Sequence, residues 1–245
     1  MATRISRTSK KPVTKQSNLK SKITRIVYKS VLWFFGITIF LVIFFKWIPV
    51  PFTPLMISRA FETRDKNKPA YQLRHDWVSI DDISINVQKA VIASEDGTFL
   101  THCGFDFNAM QKAYKNNAKG KKLKGGSTIS QQTAKNVFLW QGRSYLRKAL
   151  EAYFTFLIEL LWGKERIIEV YLNSIEMGDG VFGIEAATQF WYNKPSNSLT
   201  KREAAGIAAI LPLPRKYKAN KSSTYIEGRK TKIVKRIGYI GKLDY

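Results

Sequence analysis

The stretch Gly125-Gly126-Ser127-Thr128-Ile129-Ser130-Gln131-Gln132-Thr133-Ala134-Lys135-Asn136 places a glycine-loosened loop directly before a helix-forming run. Two glycines let the backbone turn tightly or approach a ligand closely. Ser127 or Thr128 supplies a hydroxyl that can cap the helix, free amides at its start favour an anionic group, and Lys135 adds a full positive charge about two turns in. An ordinary loop capping an ordinary helix would use the same residues, so the rest of the chain must decide between the two.

Working outward, helical patterns lie on both sides. Upstream, a helix is expected from Asp81 or Asp82 through Ile83, Val87, Ala90, Val91 and Ser94. It ends at Gly97, which leaves Glu95 and Asp96 where the chain turns away, among Phe99, Phe105 and Phe107. A carboxylate against apolar rings has its pKa raised toward neutrality, as a general acid or base requires, although an acidic pair after a helix is commonly a solvated turn. Residues 108–117 also read as helical and carry Lys112, and a lysine-rich loop spans Gly120 to Gly126. Downstream, the helix from Ser127 ends near Trp140, and Ser144 can cap the next one. That helix places Glu151 among core-spaced Leu146, Leu150, Tyr153, Phe154, Leu157 and Ile158; it is either a solvated surface residue or a buried charge that needs a partner. Residues 164–173 form a further helix, and the glycine loop Gly178-Asp179-Gly180-Val181-Phe182-Gly183 opens another from Ile184 to Tyr192. Thr200 and Glu203 make a capping box that Pro212 and Pro214 close off, and a basic amphipathic helix with Ile226, Ile233, Ile237 and Ile240 follows. No strand-period segment stands out, so the fold class is mainly α.

The 245 residues carry 41 Lys and Arg against 18 Asp and Glu, a net charge of +23, which points to polyanions or an anionic lipid surface. One cysteine, Cys103, and two histidines, His75 and His102, leave no cysteine-rich or histidine metal cluster, so no metal ligands are assigned. Residues 1–27 read as a basic tail, solvated and largely disordered over 1–25. Residues 28–48 are apolar enough, over about 20 positions, to cross a bilayer, with Trp33 and Trp47 suited to its interfaces. The bulky, rigid Lys46-Trp47-Ile48-Pro49-Val50-Pro51 offers no small-residue cleavage site, so the segment reads as an uncleaved single-pass anchor. The positive-inside rule puts the tail in the cytoplasm and the remainder outside. Residues 49–80 form a membrane-proximal segment. Within it Phe52, Leu55, Met56, Ile57 and Phe61 either lie on the bilayer or dock onto the domain at 81–245, and Arg59 to Trp77 reads as linker or domain rim.

In order along the chain stand Glu95-Asp96-x-x-Phe99-x-x-His102-x-Gly104-Phe105, the Gly-Gly-Ser-Thr stretch through Lys135-Asn136, Arg147-Lys148-x-x-Glu151, and Tyr171-Leu172-Asn173 with Gly178-x-Gly180-x-x-Gly183. This series resembles the family 51 glycosyltransferases, the peptidoglycan polymerases, over about residues 87–214. The resemblance implies a lysozyme-like helical domain with a cleft, behind a single N-terminal transmembrane helix in the bacterial inner membrane, with the catalytic domain in the periplasm. It implies transfer of a growing glycan from undecaprenyl diphosphate to the 4-hydroxyl of lipid II with inversion. Glu95 matches the general base and Glu151 the second carboxylate, which orients the donor or holds the diphosphate directly or through a divalent cation, Mg or Mn. Lys135 and Arg143 match diphosphate ligands. Ser127, Gln131 and Gln132 match polar cleft residues, with Gln132 equally able to serve the fold. Lys112 stands where the family often has arginine, which keeps a charge contact and loses a fork. Asp96 and His102 are expected to hold the motif turn together.

Implied partners are lipid II, the nascent strand and anionic membrane lipids, with cell-division or cell-wall synthesis proteins as candidates. Since the chain ends soon after these motifs, no transpeptidase domain is expected. A lytic enzyme on the same superfold and a non-catalytic binder of nucleic acid or lipid are the rivals. The cations at Lys135 and Arg143 argue against the first. Against nucleic acid stand the topology and the lack of a basic-aromatic reading surface, so no nucleic acid is expected.

Overall fold

The computed structural model describes residues 15–64, 73–118 and 125–245. The basic tail before residue 15 and most of the lysine-rich loop lie outside them. Ten helices are described, α1 Lys15–Trp47, α2 Pro54–Arg64, α3 Ile85–Glu95, α4 Phe107–Ala118, α5 Ile129–Phe138, α6 Tyr145–Leu161, α7 Gly163–Ser174, α8 Ile184–Tyr192, α9 Lys201–Ile210 and α10 Thr224–Ile237. The chain divides into two compact units, residues 1–43 and 44–245.

α1 is the one helix among the described residues long and apolar enough to cross a membrane, over Ser21–Trp47. It begins well inside the stretch expected to be disordered. Between Lys15 and the apolar run there is no glycine or proline, and extending an existing helix adds one hydrogen bond per residue without a new nucleation cost.

In the second unit α3 packs against α9 and α10, while α5 packs against α6 and α7. Val87, Ala90, Val91 and Ile92 of α3 are buried, as are all of Ala204 to Ile210 on α9, a run rich in alanine and glycine that lets the helices approach closely. α3 starts later than Asp81 or Asp82, because residues 80–82 close a single 3₁₀ turn, Ile83 is extended, and Ser84 caps the helix through Asn86 N. The capping box of Thr200 and Glu203 forms as its spacing requires. On α10, Ile226, Ile233 and Ile237 are buried, along with Lys230, whose ammonium donates to Glu227 at 2.8 Å.

The fold is mainly α as expected, with a small sheet besides the helices. β1 Arg74–His75 runs parallel to β3 Val181–Phe182, which pairs antiparallel with β2 Glu176–Gly178, in the order β1-β3-β2. Strands of two or three residues are too short to show alternation. Gly183 follows β3 with φ 77°, and a Cβ there would lie 2.9 Å from the Asn173 carbonyl oxygen, so glycine is required both by conformation and by space. Asn173 in turn ties residues 75–78 to α7, accepting from Val78 N and donating to Val78 O, while its carbonyl meets His75 Nε2.

Part of the apolar run at 52–61 docks onto the domain, and part of it is exposed. Leu55 and Met56 pack on Phe182, whereas Phe52, Ile57 and Phe61 stay exposed. Arg59 fastens α2 to the β2-β3 hairpin, donating through Nε and Nη2 to Glu176 Oε2 at 3.2 and 3.1 Å.

Candidate active site

α5 is the spine of the site. Thr128, not Ser127, is its cap. The Thr128 hydroxyl accepts from Gln131 N, the Gln131 side chain accepts from Thr128 N, and the same hydroxyl donates to Gly104 O at 2.7 Å. The Gln131 carboxamide oxygen is thus committed to the helix start, and Gln131 is buried, while Ser127 is exposed.

The anionic group expected at this helix start is the protein's own. Asp96 Oδ2 accepts from Ile129 N at 2.9 Å, and both Asp96 oxygens lie 3.0 Å from His102 Nε2. His102 Nδ1 accepts from Gly104 N, which leaves the proton on Nε2 facing Asp96. Asp96 and His102 therefore lock the turn after α3 onto the start of α5, as the sequence suggested.

That lock presents Glu95 to Gln132. Gln132 Nε2 donates to Glu95 Oε2 at 3.3 Å, Ser94 Oγ donates to Oε1 at 3.2 Å, and the buried Tyr171 hydroxyl donates to Gln132 Oε1 at 3.2 Å, which fixes the orientation of the amide. Desolvation raises the Glu95 pKa, and the neighbouring Asp96 charge adds to the rise. The Gln132 and Ser94 hydrogen bonds and the charge of Arg229 pull the other way. Arg229, on α10, is a site residue the sequence reading left within a basic face. Its Nε is buried without a hydrogen-bond partner among the described residues. The signal was there in the periodicity, since Arg229 lies three residues after Ile226 and four before Ile233, at the edge of the buried stripe.

One turn along α5 from Gln132 stands Lys135, partly buried, with no carboxylate within ion-pair distance among the described residues. Desolvation lowers its pKa. Glu151 opposes that shift, while Arg147 and Lys148 add to it. Glu151 itself is 3 % exposed, which rules out the solvated-surface reading. It takes Arg147 Nη1 at 2.8 Å on one oxygen and Lys148 Nζ on the other. Arg147 keeps a buried Nε without a partner. Three cations and one carboxylate thus share this end of the site and leave positive charge in excess. Both Glu151 oxygens are engaged, and among the described residues no three His, Cys, Asp or Glu side chains converge. As arranged, these described residues do not offer a resident divalent-cation site.

The remaining expected ligands stand apart from this centre. Arg143 is exposed in the turn between α5 and α6. Lys112 is exposed on α4, where it lines an open groove of about 430 Å³ with Thr98, His102, Phe105 and Phe107, beside the Glu95 turn.

A helical domain that holds a desolvated carboxylate from one helix, with a cation one turn further along that helix, is suited to group transfer, and the chain belongs to the transglycosylase family, whose model matches residues 63–238. It is similar to a biosynthetic peptidoglycan transglycosylase of Caulobacter vibrioides, 53 % identical over 81 % of this chain and 84 % of the relative. It is also similar to proteins of the same name from Pseudomonas syringae pv. syringae, 46 % identical over 93 % and 95 %, and Mannheimia succiniciproducens, 45 % identical over 87 % of each. The chain is thus a glycosyltransferase enzyme.

Proposed function

We propose that this enzyme polymerises the glycan strands of peptidoglycan, moving the growing strand from its undecaprenyl diphosphate onto the 4-hydroxyl of lipid II. Peptidoglycan as the product is supported by the names of the relatives. The observation that carries the reaction type is that α5 both holds the base and carries the cation: Glu95, at the end of α3, is held from α5 by Gln132. Gln132, which holds Glu95, and Lys135 are three residues apart on α5, about 5 Å along its axis.

A raised carboxyl alone would suit the acid of a glycoside hydrolase equally well. Lys135 supports the transferase reading, because a sugar hydroxyl leaves with a proton whereas a diphosphate leaves as an anion that needs positive charge. Ionised Glu95 takes the proton of the acceptor 4-hydroxyl as that oxygen bonds to the donor's anomeric carbon. The bond from that carbon to the diphosphate oxygen breaks on the opposite face, giving inversion, and the electron pair leaves on the diphosphate. Lys135 receives that charge, with the excess positive field of Arg147 and Lys148 behind it. Glu151 holds those two cations in place. Arg143, Lys112 and Ser127 are ligands along the path of the substrate, and Gln132 orients the base.

In this reading α1 anchors the enzyme in the bacterial inner membrane, with the N-terminus in the cytoplasm and the domain on the periplasmic side, where its cations face lipid II and anionic lipids. The test is incubation of the purified full chain with labelled lipid II, and separately with preformed glycan strands. A ladder of polymers sensitive to a glycan hydrolase is expected from the first. Shortened strands in the second, with lipid II intact, would make the protein a lytic enzyme instead.

A further inference from the structure

Where α1 ends, its last carbonyls meet a side chain from far along the chain. Arg166 of α7 donates through Nε and Nη2 to Phe45 O at 3.1 and 2.9 Å, and through Nη2 to Ile48 O at 2.7 Å. Its Nη1 donates to Glu169 Oε2 at 2.6 Å, and the guanidinium lies 5.2 Å from the centroid of the Trp77 ring. A helix leaves its last carbonyls unpaired, with partial negative charge at that end, so a cationic fork there is doubly favoured. At a membrane exit the need is greater, because water is scarce and unpaired carbonyls are costly.

The clamp does not act alone on this stretch. Phe45 packs against Phe138 at 6.3 Å between ring centroids, and Phe138 stacks on Phe154 at 4.5 Å. Val50 and Thr53 are buried, and Thr53 caps α2 through Met56 N. The chain from Phe44 into α2 is therefore fixed to α7 and to the end of α5, the two helices that supply Tyr171, Gln132 and Lys135 to the site.

We propose that Arg166 is a positioning residue: it fastens the membrane exit to α7, so that the cleft is held at one height above the lipid surface from which its diphosphate substrate is drawn. Its effect on catalysis rests on the polymerase reading above; the clamp itself does not. Arg166 touches no reacting atom in this scheme, so it acts through geometry alone. A lysine in its place retains the charge but cannot span two carbonyls as a planar fork does.

The experiment uses the full chain in lipid vesicles, with a fluorescent donor on Cys103, the single cysteine, which is exposed beside the catalytic turn. Energy transfer to acceptor-labelled lipid headgroups reads the height of the cleft. The parent protein should give one narrow distance distribution, and Arg166→Ala and Arg166→Lys should broaden it while Tm stays within a few degrees. Unchanged distributions in both variants would overturn the clamp, whatever the enzyme's reaction. In parallel, kcat/KM on vesicle-embedded lipid II should fall on the order of tenfold or more in both variants, while a short-chain, water-soluble analogue is used at the parent rate. Equal losses on both substrates would overturn the positioning role and make Arg166 a support of the cleft itself. If the parent protein polymerises neither substrate, the polymerase reading fails, and the energy-transfer result still decides the clamp.

Discussion

Glu95 is a carboxylate whose usefulness and whose cost have one origin. Burial raises its pKa, so the base becomes available only above the ordinary glutamate range, and kcat/KM should rise with pH along an acid limb displaced upward from that range. Arg229 lowers the Glu95 pKa, so Arg229→Gln should move that limb to still higher pH, a shift read from a pH profile of kcat/KM. The same burial opposes folding. A carboxyl whose folded pKa exceeds its unfolded value favours the fold below the unfolded pKa, and that favour is lost as pH rises through the folded pKa. Glu95→Gln should therefore raise Tm at neutral pH, with the gain shrinking under acid, as thermal melts across pH would show. Glu151 behaves in the opposite manner, because it satisfies cations. Glu151→Ala strands the Arg147 guanidinium in a buried site and should cost about 2 kcal/mol in denaturant melts.

At the scale of elements, the two ends of the motif turn are held by caps. Thr128→Ala removes both the α5 cap and the hydroxyl bond to Gly104 O, and should lower stability by about 1–2 kcal/mol. Gly183→Ala forces a side chain into a φ of 77° and against the Asn173 carbonyl, and should cost roughly 1–3 kcal/mol or more, with loss of soluble protein as the first sign. The helices were legible because their caps and periods are local: α8 runs from Ile184 to Tyr192 as the glycine loop implied, and Ser144 caps α6. What the sequence concealed was non-local or very short. The three strands have no room for a period. Ser84 outcompetes Asp81 and Asp82 as a cap only because residues 80–82 close a 3₁₀ turn first. The site divides in the same way. Glu95, Lys135 and Glu151 were legible as motif residues. That Gln131 serves the helix start while Gln132 holds the base depends on which face of α5 meets α3, and the contribution of Arg229 depends on α10 packing beside α3.

Across the whole molecule, a strongly basic enzyme with an apolar N-terminal helix brings the end of α3, which carries Glu95, against α5, where Gln132 holds that carboxylate and Lys135 stands one turn further on. The exposed Ile57 and Phe61 lie on α2, whose other face is fixed to the domain, and the exposed Phe52 comes just before it. Lys135→Met should raise KM for lipid II and lower kcat together, since both the bound and the departing diphosphate lose a charge, and steady-state kinetics would separate this from a purely structural loss. The central claim is that Glu95 is the base of glycan polymerisation. It is tested most directly by single-turnover elongation of labelled lipid II with the full-length parent and Glu95→Gln side by side. The account predicts a rate about 10²- to 10⁴-fold lower in the variant, with substrate binding and folding intact; a rate within a fewfold of the parent would contradict it.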